Sequence, residues 1–147
     1  MGSCGPVGGL MKRVALFCLT ALVFFGGCRA VPPRPVRRFA WVTGIKPEKI
    51  PYYKKLHAHP WPGVVRMIKK CHIRNYSIFL KKIGPKYYLF SYLEYTGTDF
   101  DADMKAMAAD PETRRWWKET DPCQEPLPEA KAAGKIWSDA EEVFHLD

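Results

Sequence analysis

Two strand-like runs, Ile73 to Leu80 and Tyr87 to Tyr95, flank the polar stretch Lys81 to Lys86, which carries Gly84-Pro85. Both runs are rich in β-branched and aromatic residues, and Gly-Pro between them is turn chemistry. The pattern predicts an antiparallel hairpin, and the rest of the chain has to be placed around it.

Upstream, Arg38 to Thr43 reads as a first strand and Pro47 opens a helix in which Ile50, Tyr53, Leu56 and His57 fall at three- and four-residue spacing. Pro51 makes an irregular first turn. The run His59-Pro60-Trp61-Pro62-Gly63 interrupts the helix, and Val64, Val65, Ile68 and Cys71 resume an apolar stripe opposite Arg66, Lys69 and Lys70, so two helical pieces are expected. Downstream, a helical zone begins after Asp99 with Met104, Met107 and Ala108 on one side, and Pro111 starts a further helix bearing Trp116 and Trp117. Asp121 to Pro128 holds three prolines and no periodicity, which reads as a loop, while Glu142-Val143-Phe144-His145-Leu146 alternates like a final strand. The order β-α-β-β-α-β is the α+β ferredoxin-like arrangement, a four-stranded antiparallel sheet with its helices on one face. The other face stays open, and a second copy of the same sheet is the economical cover, which predicts a homodimer of the dimeric α/β barrel type.

Ahead of this domain, Lys12 and Arg13 precede an apolar run from Val14 to Phe25, followed by Gly26-Gly27-Cys28. The run is shorter than the roughly 20 residues that span a bilayer as a helix, so residues 1–27 read as an export signal rather than a permanent anchor. Cys28 after two glycines resembles the lipobox of bacterial lipoproteins, although Phe25 stands where a smaller aliphatic residue is preferred; Met11 is an alternative start. The expectation is an exported protein in the cell envelope, lipid-anchored to a bacterial membrane through Cys28. Residues 28–36 form a Pro-rich tether, and 37–147 form the domain, about the length for one core.

The net charge of +8 falls once Lys12 and Arg13 leave with the signal, and the remaining cations are spread along the chain, which argues against a nucleic-acid partner. Cys4 and Cys18 leave with the signal and Cys28 with the lipid, so only Cys71 and Cys123 remain in the domain. Two are too few for a disulfide framework or a zinc site, although they are able to form one disulfide. His57 and His59 suggest a metal pair only weakly, because two residues apart on a helix they point to different faces.

Tyr53 and His57 are four apart on one helix, so their side chains lie over one another and reach a common ligand. A phenol beside an imidazole is a plausible proton-transfer pair, because histidine titrates near neutral pH. The more common role for such a histidine is packing or plain solvation. Trp116 and Trp117 point about 100° apart, so one of them is expected to face a pocket. Indole faces stack on sugar rings while the N–H donates a hydrogen bond, which makes a carbohydrate site reasonable, although tryptophans more often simply pack against a sheet.

Several stretches carry a resemblance: Tyr53-Lys-Lys-Leu-His57 with Trp61-Pro62, Arg74-Asn75-Tyr76-Ser77-Ile78-Phe79-Leu80, Met107 to Lys118 with its Trp116-Trp117, Thr120 to Pro128, and the ending Glu141 to Leu146. Together they resemble the L-rhamnose mutarotase family over about Arg37 to Asp147. The resemblance implies a dimeric ferredoxin-like isomerase that interconverts the α and β anomers of L-rhamnose without a metal or organic cofactor. It places the proton-donor histidine at His57, sugar-contacting tyrosines at Tyr53 and Tyr76, and paired sugar-binding tryptophans at Trp116 and Trp117. The export signal departs from the family's cytoplasmic setting, and His59 is an additional histidine near the implied donor. Two other readings stay open: a non-catalytic sugar-binding lipoprotein, and another dimeric ferredoxin-like enzyme such as a cofactor-independent monooxygenase. The last requires an apolar pocket, which Tyr53, His57 and Tyr76 oppose.

Overall fold

The computed structural model describes residues 1–2 and 36–146. The chain divides into two units, residues 1–32 and 33–147, and the fold described is that of the second. Beyond Met1 and Gly2, the export signal read over 1–27, Cys28 and the tether up to residue 35 lie outside the described residues.

The order is β1 (Arg37–Ile45), a 3-10 turn (Pro47–Lys49), α1 (Ile50–Ala58), α2 (Pro62–Lys70), β2 (Ile73–Ile83) and β3 (Lys86–Tyr95). It continues with α3 (Phe100–Ala109), α4 (Pro111–Thr120), a second 3-10 turn (Asp121–Cys123), β4 (Gln124–Glu125), α5 (Pro128–Ala132) and β5 (Ser138–Ala140). The sheet runs β2-β3-β1-β4, with β5 also on β1, and each pairing is antiparallel. The hairpin turns at Gly84, whose φ of 56° suits a residue without a side chain. Prolines stand in the first turns of α1, α2 and α4, at positions where a missing N–H costs nothing. Asp99 Oδ1 accepts from the Ala102 N–H at 3.0 Å and Asp110 Oδ2 from the Thr113 N–H at 2.7 Å, fixing where α3 and α4 begin.

This is the antiparallel α+β arrangement expected, with three differences at the C-terminal end. The fourth strand position is shared by two short strands, β4 and β5, on successive stretches of β1. Pairing at Gly44↔Glu125 brings the chains so close that a Cβ on Gly44 would stand 2.6 Å from the Glu125 carbonyl oxygen, so a glycine is needed there. The stretch read as an aperiodic loop, Asp121 to Pro128, contains the 3-10 turn and β4 and leads into α5. Glu142 to Leu146 is not a strand: β4 and β5 already occupy that edge of β1, and Val143, Phe144 and Leu146 stand exposed.

Two apolar clusters lie between helices and sheet. One centres on Met67, Cys71, Ile73, Leu93, Tyr95 and Met107, the other on Ile45, Tyr53, Leu89 and Cys123. Among the described residues Cys71 and Cys123 are buried and free, one in each cluster, and each donates its S–H to a carbonyl oxygen, Cys71 to Asp103 and Cys123 to Glu119. The opposite sheet face is bare, with Phe79, Ile83 and Phe90 among its exposed apolar side chains.

Candidate active site

Between the helices and the sheet lies a cavity of about 1120 Å³ whose wall draws on both clusters. All five residues singled out from the sequence line it: Tyr53, His57, Tyr76, Trp116 and Trp117. Both tryptophans reach the wall, where helix geometry alone pointed to one and the family resemblance implied the pair. Trp116 is buried against His57, while Trp117 packs with the Met67 cluster. His59 ends α1 and is exposed, outside the residues that line the cavity.

The four-residue spacing on α1 brings Tyr53 and His57 together as anticipated: their rings stack with centroids 4.1 Å apart. His57 then meets Trp116 edge-on at 5.2 Å, and Trp116 meets Trp61 edge-on at 5.4 Å, so α1, the start of α2 and α4 are joined by one aromatic row. The Nδ1 of His57 lies 2.9 Å from the Tyr53 carbonyl oxygen. A carbonyl only accepts, so Nδ1 carries the hydrogen and Nε2 is the nitrogen left for chemistry. Burial lowers the His57 pKa below its ordinary value, with the bond to the Tyr53 carbonyl pulling the other way. Burial raises the phenols of both Tyr53 and Tyr76, which therefore remain protonated hydrogen-bond donors at neutral pH.

Tyr76 owes its position to an irregularity. Arg74 pairs with Glu94 and Ser77 with Tyr92, so β2 carries one residue more than β3 across this interval. Asn75 takes up the excess at a φ of 49°, a left-handed conformation asparagine tolerates, and its side-chain amide donates to Glu94 Oε1 at 3.0 Å. Glu94 is pinned on its other oxygen by Arg74 at 2.8 Å. The extra residue sets the next side chain, Tyr76, on the cavity side.

Among the polar residues of the wall that sequence reasoning missed are Asp121 and Gln124. Asp121 opens the second 3-10 turn, and Gln124 begins β4 with its side chain 5% exposed and its Oε1 without a hydrogen-bond partner. Their segment carried no periodic signal, although Asp121 follows Trp117 by four residues, the spacing that paired Tyr53 with His57. Among the described residues no group of three or more His, Cys, Asp or Glu is placed to hold a metal ion.

An antiparallel α+β domain whose helical face encloses an aromatic cavity, with an imidazole ready to exchange a proton, has the build of a carbohydrate isomerase. The sequence profile of L-rhamnose mutarotase matches residues 38–146. The chain belongs to the L-rhamnose mutarotase family. It is 30% identical to the L-rhamnose mutarotase of Oceanobacillus iheyensis over 112 residues, 76% of this chain and 100% of that protein. It is 34% identical to that of Lactiplantibacillus plantarum over 95 residues, 65% of this chain and 84% of that one. The crystal structure of L-rhamnose mutarotase from Formosa agariphila superposes with a TM-score of 0.57 at 21% identity, covering 76% of this chain and 99% of that one, which shows the shared fold.

Proposed function

We propose that this chain is an isomerase that interconverts the α and β anomers of L-rhamnose. The observation that carries the reading is the stacked Tyr53–His57 pair beside Trp116, in a cavity that also holds Tyr76 and Trp117. Ring opening moves the proton of the anomeric hydroxyl away and delivers one to the ring oxygen; the aldehyde then rotates and closes on its other face. His57 delivers the proton to the ring oxygen through Nε2, Tyr53 and Tyr76 orient hydroxyls, and the indoles of Trp116 and Trp117 stack on the ring. Saturation-transfer NMR of the protein with L-rhamnose tests this. Exchange between the two anomeric proton signals beyond the spontaneous rate is expected; binding without exchange would leave a sugar-binding lipoprotein instead.

The same proposal covers assembly and location. The bare strip of Phe79, Ile83 and Phe90 and the exposed tail Val143, Phe144 and Leu146 support a homodimer in which a second copy covers apolar surface, and a single-chain mass in sedimentation velocity would count against it. The basic pair, apolar run and Gly-Gly-Cys28 support export and lipid anchoring in the cell envelope. Labelled fatty acid should enter the full chain in a bacterial host and be absent from Cys28→Ala; equal labelling of both would exclude the anchor.

A further inference from the structure

We propose that Asp121 is the second proton-transfer group of the site, taking the anomeric hydroxyl proton while His57 protonates the ring oxygen. This rests on the isomerase reading above. Opening a pyranose moves protons at two different oxygens, and one imidazole attends to one of them. The phenols of Tyr53 and Tyr76 are held protonated by burial and are poor bases. Asp121 is the only carboxylate among the described residues that line the cavity.

Its placement is fixed by the backbone. The Asp121 N–H donates to the Trp117 carbonyl, so the two residues share a face at the end of α4, as Tyr53 and His57 do on α1. Its charge is felt at the Tyr53 phenol, the ring on which His57 stacks. Burial raises the Asp121 carboxyl, opposed by the Thr120 hydroxyl, and lowers His57 against the pull of the Tyr53 carbonyl, so the two groups shift toward one another. The titratable groups around Asp121 are Tyr53, His57 and Lys54 from α1, Tyr76 from β2, Cys123 in its own turn, Glu119 two residues back, Lys49 from the first 3-10 turn, and Lys46, whose ammonium donates to the Pro122 carbonyl at 2.8 Å.

The step balances. The O1–H bond breaks and its proton goes to an Asp121 carboxylate oxygen; the electron pair left behind forms the C1 carbonyl as the C1–O5 bond breaks. The O5 pair takes the proton from His57 Nε2. After rotation, closure runs the same transfers backward, Asp121 giving its proton back to O1 and the O5–H proton returning to His57, so no other reactant is consumed.

A pair that shares one proton gives a bell-shaped dependence of exchange rate on pH. Asp121→Asn should lower exchange by about 10²-fold or more and remove the acidic limb, while L-rhamnose still broadens in its presence. Asp121→Glu keeps the charge and should keep the acidic limb at reduced rate; it carries the comparison if the asparagine variant fails to fold. An asparagine variant within about threefold of the parent rate, or either variant departing from its expected limb, would overturn the proposal. Absence of exchange in the parent protein would overturn the isomerase reading itself and the proposal with it.

Discussion

Replacing His57 by alanine is expected to reduce enzyme-dependent exchange between L-rhamnose anomers by about 10²–10⁴-fold, the usual value of a positioned acid–base group, while leaving sugar binding in place. The expectation follows from the atoms. The Tyr53 carbonyl holds Nδ1, which leaves Nε2 as the one nitrogen able to pass a proton, and Tyr53 and Trp116 fix the ring from two sides. Full exchange in His57→Ala would sink the assignment. The same variant has a signature in stability. Because the folded pKa of His57 lies below the ordinary value of about 6.5, the unfolded chain binds more protons than the folded one in that range. The contribution is fully present above the unfolded value and is lost as pH falls through the folded one. In urea titrations the parent should therefore lose stability relative to His57→Ala as pH falls through and below about 6.5. A difference that grows toward low pH would reverse the sign and exclude a neutral buried imidazole.

Trp116→Ala is expected to be the most destabilising single change in the site, by about 3–5 kcal/mol, the range for removing a buried indole. Trp116 is 7% exposed and stands at the crossing of α1, the start of α2 and α4, touching both His57 and Trp61 edge-on. Removing it opens a void at that crossing and frees His57 on one side. Since a domain of this size is stable by about 5–15 kcal/mol in total, such a loss should be plain in denaturant unfolding. Trp117→Ala should cost less, because Trp117 is only partly buried at the edge of the Met67 cluster. A Trp116→Ala midpoint indistinguishable from that of the parent would mean that the indole is a surface feature of the cavity and not a structural joint.

The sequence was legible where physical periodicity is strong. The hairpin followed from two β-rich runs around Gly84-Pro85, and the interruption between α1 and α2 from prolines that cannot continue a helix. The Tyr53–His57 pair was legible because a spacing of four on a helix is a statement about geometry. The C-terminal part was not. Val143, Phe144 and Leu146 alternate as strand residues do, but alternation describes a face and not an available neighbour, and β4 and β5 hold the edge of β1. Gln124–Glu125 is too short to carry any period, and the same shortness hid Asp121 and Gln124 in what reads as a loop. Tyr76 came from family resemblance alone, because simple alternation along β2 does not predict which side it takes.

Phase along a strand also limits how β2 can change in length. In a regular strand, inserting or deleting a residue reverses every side chain beyond it, so lengths within sheets are conserved for reasons of phase. β2 already contains one such reversal, absorbed at Asn75, and Ile73 and Ile78 both serve the core although an odd number of positions separates them. Deleting Asn75 would leave a regular ladder with Tyr76 opposite Leu93, still on the cavity side, whereas deleting Ser77 would leave an equally regular ladder with Tyr76 opposite Tyr92, on the outer surface. The side of the sheet that Tyr76 takes in this chain is thus partly encoded in a count.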